Sequence, residues 1–385
     1  MNIRKALHRM KRLYPIVNQV RRFSGRLLMR LFHAIHGIEK DTVLFSSYVG
    51  HGYSDNTRRI SEALHALRPD LHIVWQFLPG RAPEDLPDYI KTIPARSLRA
   101  LRAYSTARVF VDNMNRPQYM LKFPGQIYVQ TWHGDRGFKK VLFDMGTGEP
   151  FPDGAQMDLA VSGSDFGSRV YRSALGYEGE ILECGCPRND ILIANPPEAA
   201  ARVRRTLNLP EGACVLLYAP TFRDATAGRK QPAGLDLARV CDALARTTGK
   251  KWISITRGHD QNRGIDSDAL MDVSGYPETN ELLLAVDMLI TDYSSIGGDF
   301  MLLNRPVIYY QPDRERYDRA LYFDPDASPL IVAHTEQELL DIVSKPLDAA
   351  GNCRAALDFF GVRESGHAAE TVARWIAARL ESNSP

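Results

Sequence analysis

The sequence predicts an α/β protein of two domains, each built on a parallel sheet. Three observations lead there. The chain has 385 residues, more than one hydrophobic core usually supports. From residue 41 onward short apolar strands alternate with helical stretches. The alternation breaks at the turn-rich Ala194-Asn195-Pro196-Pro197 and then restarts. The expected domains are 41–194 and 195–385, preceded by a separate segment 1–40, with the last helix packing back on the protein.

Segment 1–40 reads as a basic amphipathic helix. Ile3, Leu7, Met10, Tyr14 and Val17 recur at helical spacing, and Val20, Phe23, Leu27 and Leu31 continue the row. Pro15 is expected to kink or split it. The segment holds ten Lys and Arg residues against the single acid Glu39, although the whole chain carries a net charge of only +2. Such a helix can lie in the headgroup region of an anionic membrane, or it can pack on its own protein with a solvated basic face.

Composition narrows the remaining classes. Hydrophobic residues at 44% and charged residues at 24% are those of a globular enzyme. No run of about 18 apolar residues occurs, so no membrane-spanning helix is expected. Basic residues interrupt the N-terminus where a secretory signal would be apolar. Five scattered cysteines suit a reducing cytoplasm better than a disulfide scaffold. Cys184-Gly185-Cys186 fits no paired zinc spacing and reads as two buried small residues.

The predicted strands of the first domain are 42–46, 72–77, 109–111, 127–130, 159–161 and 180–182, with a Gly-rich turn at 49–56 and a helix over 57–67. Those of the second are 215–218, 252–255, 288–290 and 307–310, with helices over 296–303 and 367–380. In parallel sheets the ligand loops gather at the strand ends, and four strand ends carry chemistry. His133 follows the strand ending at Gln130 and is a candidate general base; Lys139 and Lys140 nearby could neutralise an anion. Arg223 follows a strand and can grip phosphate oxygens, or lie idle on the surface. Arg257 and His259 leave a third strand two residues apart, with Asp260 beside them. Thr291-Asp292-Tyr293-Ser294-Ser295 ends a fourth strand and opens a helix, where free N–H groups and the helix dipole attract anions. The bland reading of Ser294 or Ser295 is a helix cap.

Taken together, Tyr53-Ser54-Asp55-Asn56, Gln130-Thr131-Trp132-His133-Gly134, Gly185-Cys186-Pro187-Arg188-Asn189-Asp190, Tyr218-Ala219-Pro220-Thr221-Phe222-Arg223, Arg257-Gly258-His259 and Leu289 to Ser295 resemble the CDP-glycerol glycerophosphotransferase family. Arg305-Pro306 and Leu321 to Asp324 fit as well, so the likeness covers about residues 42–345. It implies a GT-B fold, two Rossmann-like domains facing a cleft. It implies transfer of glycerol phosphate, or a related alditol phosphate, from CDP-glycerol to a hydroxyl of a membrane-linked or polymer acceptor, with release of CMP, in the synthesis of teichoic-acid or capsule-like polymers. His133 and His259 would be catalytic. Arg223, Arg257, Thr291, Asp292, Ser294 and Ser295 would hold the donor pyrophosphate, with Ser54, Asp55, Asn56, Trp132, Lys139 and Lys140 on the acceptor side. No metal, other cofactor or nucleic-acid partner is expected. Residues 1–40 would keep the enzyme on the cytoplasmic face of the membrane.

Two departures stand out. Asp135-Arg136-Gly137 replaces the Thr-Pro that commonly follows Trp-His-Gly, and Asp260 follows His259 where an aromatic or aliphatic residue is usual. Two rival readings stay open: a GT-B glycosyltransferase using a sugar nucleotide, and a non-catalytic nucleotide- or lipid-binding module.

Overall fold

The computed structural model describes residues 3–117, 119–146, 153–221, 235–258, 269–317 and 319–381, with backbone alone over 3–18. The first helix, α1 (Ile3–His36), continues through Pro15 without the expected split. Proline removes one hydrogen bond and crowds one carbonyl, a local cost that the turns on either side of a 34-residue helix outlast.

The first sheet takes its strands in order as β1 (Glu39–Ser46), β2 (His72–Phe77), β3 (Ile90–Pro94), β4 (Ala107–Asp112), β5 (Ile127–Gln130), β6 (Leu159–Ser162) and β7 (Glu180–Glu183). Helices α2 (Asp55–Leu67), α3 (Leu98–Thr106), α4 (Asp153–Gln156) and α5 (Asp165–Ala174) connect them. All pairs are parallel in the order β3-β2-β1-β4-β5-β6-β7. From Thr42 to Ser46 every residue of β1 is buried, as a central parallel strand covered on both faces requires.

Short helices α6 (Asp190–Ala194) and α7 (Pro197–Thr206) lead to the second sheet. Its strands are β8 (Cys214–Ala219), β9 (Trp252–Thr256), β10 (Met271–Asp272), β11 (Met288–Thr291), β12 (Val307–Tyr310) and β13 (Val332–Ala333). Between them lie α8 (Leu237–Thr248), α9 (Thr279–Leu284) and α10 (Ile296–Phe300). The order is β10-β9-β8-β11-β12-β13, again parallel. Both sheets therefore follow the doubly wound order in which strand succession reverses beside the first strand. The reversal falls between β1 and β4 in one sheet and between β8 and β11 in the other, so two crevices open at the carboxyl ends of those strands. This is the GT-B architecture.

After α11 (Glu336–Val343) and α12 (Ala349–Phe360) the chain returns to the first domain. Arg363 N donates to the Gly163 carbonyl at 2.8 Å and Asp165 N to that of Gly361 at 2.9 Å. The last helix, α13 (Ala368–Glu381), buries Val372, Ala373 and Ile376 in a core shared with Ile60 and Leu64 of α2. The joint between the halves is itself apolar, because Phe138 and Phe166 sit in one cluster with Tyr293, Phe300 and Phe360.

Strand β3 was not anticipated: Ile-Lys-Thr-Ile-Pro mixes charge with proline, as an edge strand tolerates and a pattern search passes over. Helix α1 docks on α3 through Met29, which is fully buried. Gly25 lets the same side of α1 approach the segment after β4, since a Cβ there would lie 2.7 Å from the Tyr119 ring. The other side of α1 presents Val20, Phe23, Leu27 and Leu31, the row read from the sequence, and Ile35 one turn further on, all exposed. Among the described residues no helix is long and apolar enough to cross a membrane.

Candidate active site

At the end of β5, Gln130 accepts a hydrogen bond from Trp132 N at 2.9 Å. It thereby holds Trp132 in the left-handed region, at φ +49°, a conformation that costs a bulky residue energy and is kept where a loop must be aimed. The turn swings His133 back over the end of β4, where Nδ1 lies 2.7 Å from the Asn113 carbonyl. A carbonyl only accepts, so Nδ1 carries the proton and Nε2 is the basic nitrogen. The Tyr48 ring meets the imidazole edge-on at 5.6 Å and the Trp132 ring lies 4.5 Å away.

The loop after β1 completes this half. Tyr48 N donates to Asn113 Oδ1 at 2.8 Å, and the Tyr48 hydroxyl to Asp55 Oδ2 at 2.6 Å. Tyr48, Val49 and Asp55 all have positive φ. Asp55 and Asn56 belong to the first turn of α2, which starts two residues earlier than the predicted helix. Ser54 precedes it, half-buried, its carbonyl taking the Ser47 hydroxyl at 3.1 Å. Burial pushes the Asp55 carboxyl up, yet the Arg188 charge, the Tyr48 hydroxyl and the Asn56 amide outweigh it and leave it below the usual value, with His133 contributing in the same direction. Asn56 Nδ2 donates to the Trp132 carbonyl at 3.2 Å and so ties α2 to the His133 loop.

On the other side, the predicted donor residues separate. Ser294 and Ser295 are half-buried at the start of α10, and Ser295 makes no side-chain cap bond. Thr291 is a correction to the expected donor set: it is fully buried and its hydroxyl donates to the Ala219 carbonyl at 2.7 Å, so it ties β11 to β8 instead of facing a ligand. Asp292 accepts from the backbone N of Thr221 at 2.8 Å, and from its hydroxyl, which fixes the loop leaving β8. Arg257 Nη1 is committed to the carbonyls of Val273 and Tyr276, at 3.0 and 2.8 Å. It therefore clamps the loop after β10. Arg223 and His259 lie outside the described residues.

The two halves touch at this point. A Cβ on Gly134 would stand 3.0 Å from Ser295 Oγ, so glycine is what lets the His133 loop close on the start of α10. Next to it, Lys140 N donates to the Ala320 carbonyl at 2.9 Å and Tyr322 N to that of Phe138 at 2.8 Å. Lys139 and Lys140 thus sit half-exposed on a strand-like clasp between domains.

A buried ionic network that the sequence reading missed underlies the site. Arg136, 1% exposed, bonds Asp299 of α10 at 2.8 Å and Glu364 at 3.0 Å. Arg188 bonds the same Asp299 at 3.0 Å and Asp55 at 3.2 Å. Asn189 Nδ2 donates to Glu364 at 2.6 Å and to Asp299 at 3.1 Å. Arg136 and Arg188 stand within motifs, but Asp299, the partner they share, lies more than a hundred residues away along the chain, beyond the reach of local spacing. At the rim, Arg58 and Arg59 of α2 pair with Glu278 beside α9 at 3.5 and 3.4 Å.

A profile of the family described as CDP-glycerol:poly(glycerophosphate) glycerophosphotransferase matches residues 28–378. The teichoic acid poly(glycerol phosphate) polymerase of Staphylococcus epidermidis is 32% identical over 78% of this chain and 44% of its own length. That of Bacillus subtilis is 28% identical over 95% of this chain and 53% of its own. The chain thus spans about half the length of these two polymerases. The teichoic acid glycerol-phosphate transferase of Staphylococcus aureus, 29% identical, is matched over 81% of this chain and 85% of its own. Among solved structures, the wall teichoic acid polymerase TagF superposes with a TM-score of 0.80 at 26% identity, over 100% of both chains. With the profile covering most of its residues and the same architecture throughout, this chain belongs to the CDP-glycerol:poly(glycerophosphate) glycerophosphotransferase family.

Proposed function

We propose that the protein transfers glycerol phosphate from CDP-glycerol to a hydroxyl of a growing glycerol phosphate chain or its lipid-linked primer, with release of CMP. The observation that carries this is the approach of the His133 loop to the start of α10, where Gly134 abuts Ser295. In this reading Nε2 of His133 takes the acceptor proton as the oxygen attacks the β-phosphorus. A new P–O bond forms while the bond to the CMP oxygen breaks. The charge of Asp55 favours the imidazolium that results. Ser294, Ser295 and the N–H groups opening α10 receive the pyrophosphate, together with Arg223 and His259. Positioning and fixed donors supply most of the acceleration, and the chain's own basic groups, with no metal, offset the leaving group's charge.

The same reading places the enzyme on the cytoplasmic face of the membrane. The exposed row from Val20 to Ile35 on α1, flanked by Arg22 and Arg30, supports an apolar face entering the headgroup region with basic neighbours meeting lipid phosphates. The test is a panel of nucleotide donors scored for release of nucleoside mono- or diphosphate and by phosphorus NMR of the product. CDP-glycerol should yield CMP and a phosphodiester. A glycosidic product from a sugar nucleotide, without a new phosphodiester, would replace this reading with glycosyl transfer.

A further inference from the structure

At the opposite end of the first sheet from His133, the amino ends of β1 and β4 frame a cavity of about 360 Å³. Its lining combines Lys40, Arg68 and Arg108 with the carboxylates Asp41 and Glu381 and with apolar Ile38, Leu71 and Leu380, and Gly125 completes the wall. Arg108 stands out. It is 9% exposed, yet Nη2 is buried without a hydrogen-bond partner, and no ion pair reaches the guanidinium among the described residues. Nη1 points along the same wall, 3.6 Å from where a Cβ on Gly125 would be.

A guanidinium withdrawn from water with no acceptor is unfavourable, and buried charges are normally paired. Elsewhere this chain obeys that rule, as Arg136 and Arg188 show with two carboxylate partners or more each. Of the cavity's other charges, Arg68 is engaged bidentately by Asp70 at 2.6 and 2.8 Å and approaches Glu381 at 3.6 Å. Asp41 and Lys40 are exposed at the rim. That leaves the Arg108 guanidinium as the lining cation without an ion-pair partner among the described residues, with Lys40 at the mouth. The volume lies in the range of small-molecule sites and exceeds what a single simple ion fills.

We propose that this cavity binds a phosphodiester, held by Arg108 inside and Lys40 at the entrance. A guanidinium fork suits phosphate oxygens. Location points to the source. Ile38 lines the cavity two residues beyond the end of α1, and Ile35 is the last exposed member of its apolar row. An anionic phospholipid whose chains met that row would bring its headgroup phosphate to this mouth. The lipid assignment rests on the membrane reading of α1, whereas the phosphodiester assignment stands on Arg108 and the cavity alone.

The probes are glycerophosphoglycerol, a soluble diester without tails, and phosphatidylcholine vesicles with or without phosphatidylglycerol. The diester should raise the melting temperature of the full chain clearly more than that of Arg108→Gln, in which the acceptor side at His133 is intact. Without ligand the variant should melt no lower than the parent, because it loses an unpaired buried charge. Phosphatidylglycerol should strengthen vesicle binding of the parent, and Arg108→Gln should lose at least fivefold of that increment. Lys40→Gln, exposed and harmless to folding, should lose about half of the diester shift. An equal shift in the parent and Arg108→Gln, or none in either, overturns the site. A larger shift in the parent with unchanged vesicle binding by Arg108→Gln overturns the lipid source and leaves a soluble phosphodiester. The double variant Phe23→Asp with Leu27→Asp separates the readings: vesicle binding retained in it ends the membrane role of α1, while its diester shift still judges the cavity.

Discussion

His133 owes its position to backbone that few side chains accept. Trp132 turns through the left-handed region and Tyr48, Val49 and Asp55 do the same opposite it, while one residue, Asn113, receives both the imidazole and the Tyr48 amide. The sequence made His133 legible as a strand-end histidine, but not its anchor, because a backbone carbonyl has no residue signature. Across the cleft, loss of the Ser295 hydroxyl should weaken CDP-glycerol binding by about tenfold, in line with one hydrogen bond to a charged group. Calorimetry on Ser295→Ala measures it, and an unchanged affinity would remove Ser295 from the donor site. Behind His133, burial pushes the Asp112 carboxyl up to about 7 against the pull of Arg116 and the Tyr104 hydroxyl. A carboxyl raised on folding stabilises fully below its unfolded value, and that contribution is lost as pH rises toward 7. Asp112→Asn should therefore flatten the fall in stability between about pH 4 and about pH 7, a difference on the order of a few kcal/mol. Parallel urea midpoints for both proteins would contradict it.

Among the elements, long central strands and the helix start at Ser294-Ser295 were readable because burial on both faces leaves continuous apolar runs. Edge strand β3 was not, and α1 outran its proline. The row from Val20 to Leu31 was readable as a helix face, yet only the fold shows that Met29 and Gly25 dock the opposite side and leave the row uncovered. Thr291 shows the converse: a hydroxyl at the right place in a motif turned inward to bridge two strands. Helix α10 is set by contact with Arg136, since a Cβ on Gly298 would fall 2.9 Å from the Arg136 Cβ and 3.0 Å from its Nε. Gly298→Ala should destabilise by about 1–3 kcal/mol through overpacking, read from urea unfolding. A midpoint equal to the parent's would mean that α10 can shift away from Arg136 without cost.

The whole molecule is two doubly wound sheets whose apolar joint is crossed by a buried ionic network. Asp299 on α10 accepts from both Arg136 and Arg188, and Glu364 draws the returning chain into the same knot. None of this was legible in order or spacing, because it exists only once the halves meet. Removing Asp299 leaves two buried guanidinium groups short of a partner, so Asp299→Ala should cost about 3–5 kcal/mol. Calorimetric unfolding checks that figure, and a loss below about 1 kcal/mol would make the network ornamental. The central claim is that the donor half and the His133 half are separate parts of one site. Measuring CDP-glycerol affinity and acceptor-dependent CMP release on the same preparation of His133→Ala tests it most directly. The account predicts affinity within a few-fold of the parent and CMP release down by at least about a hundredfold. Release at the parental rate would contradict it.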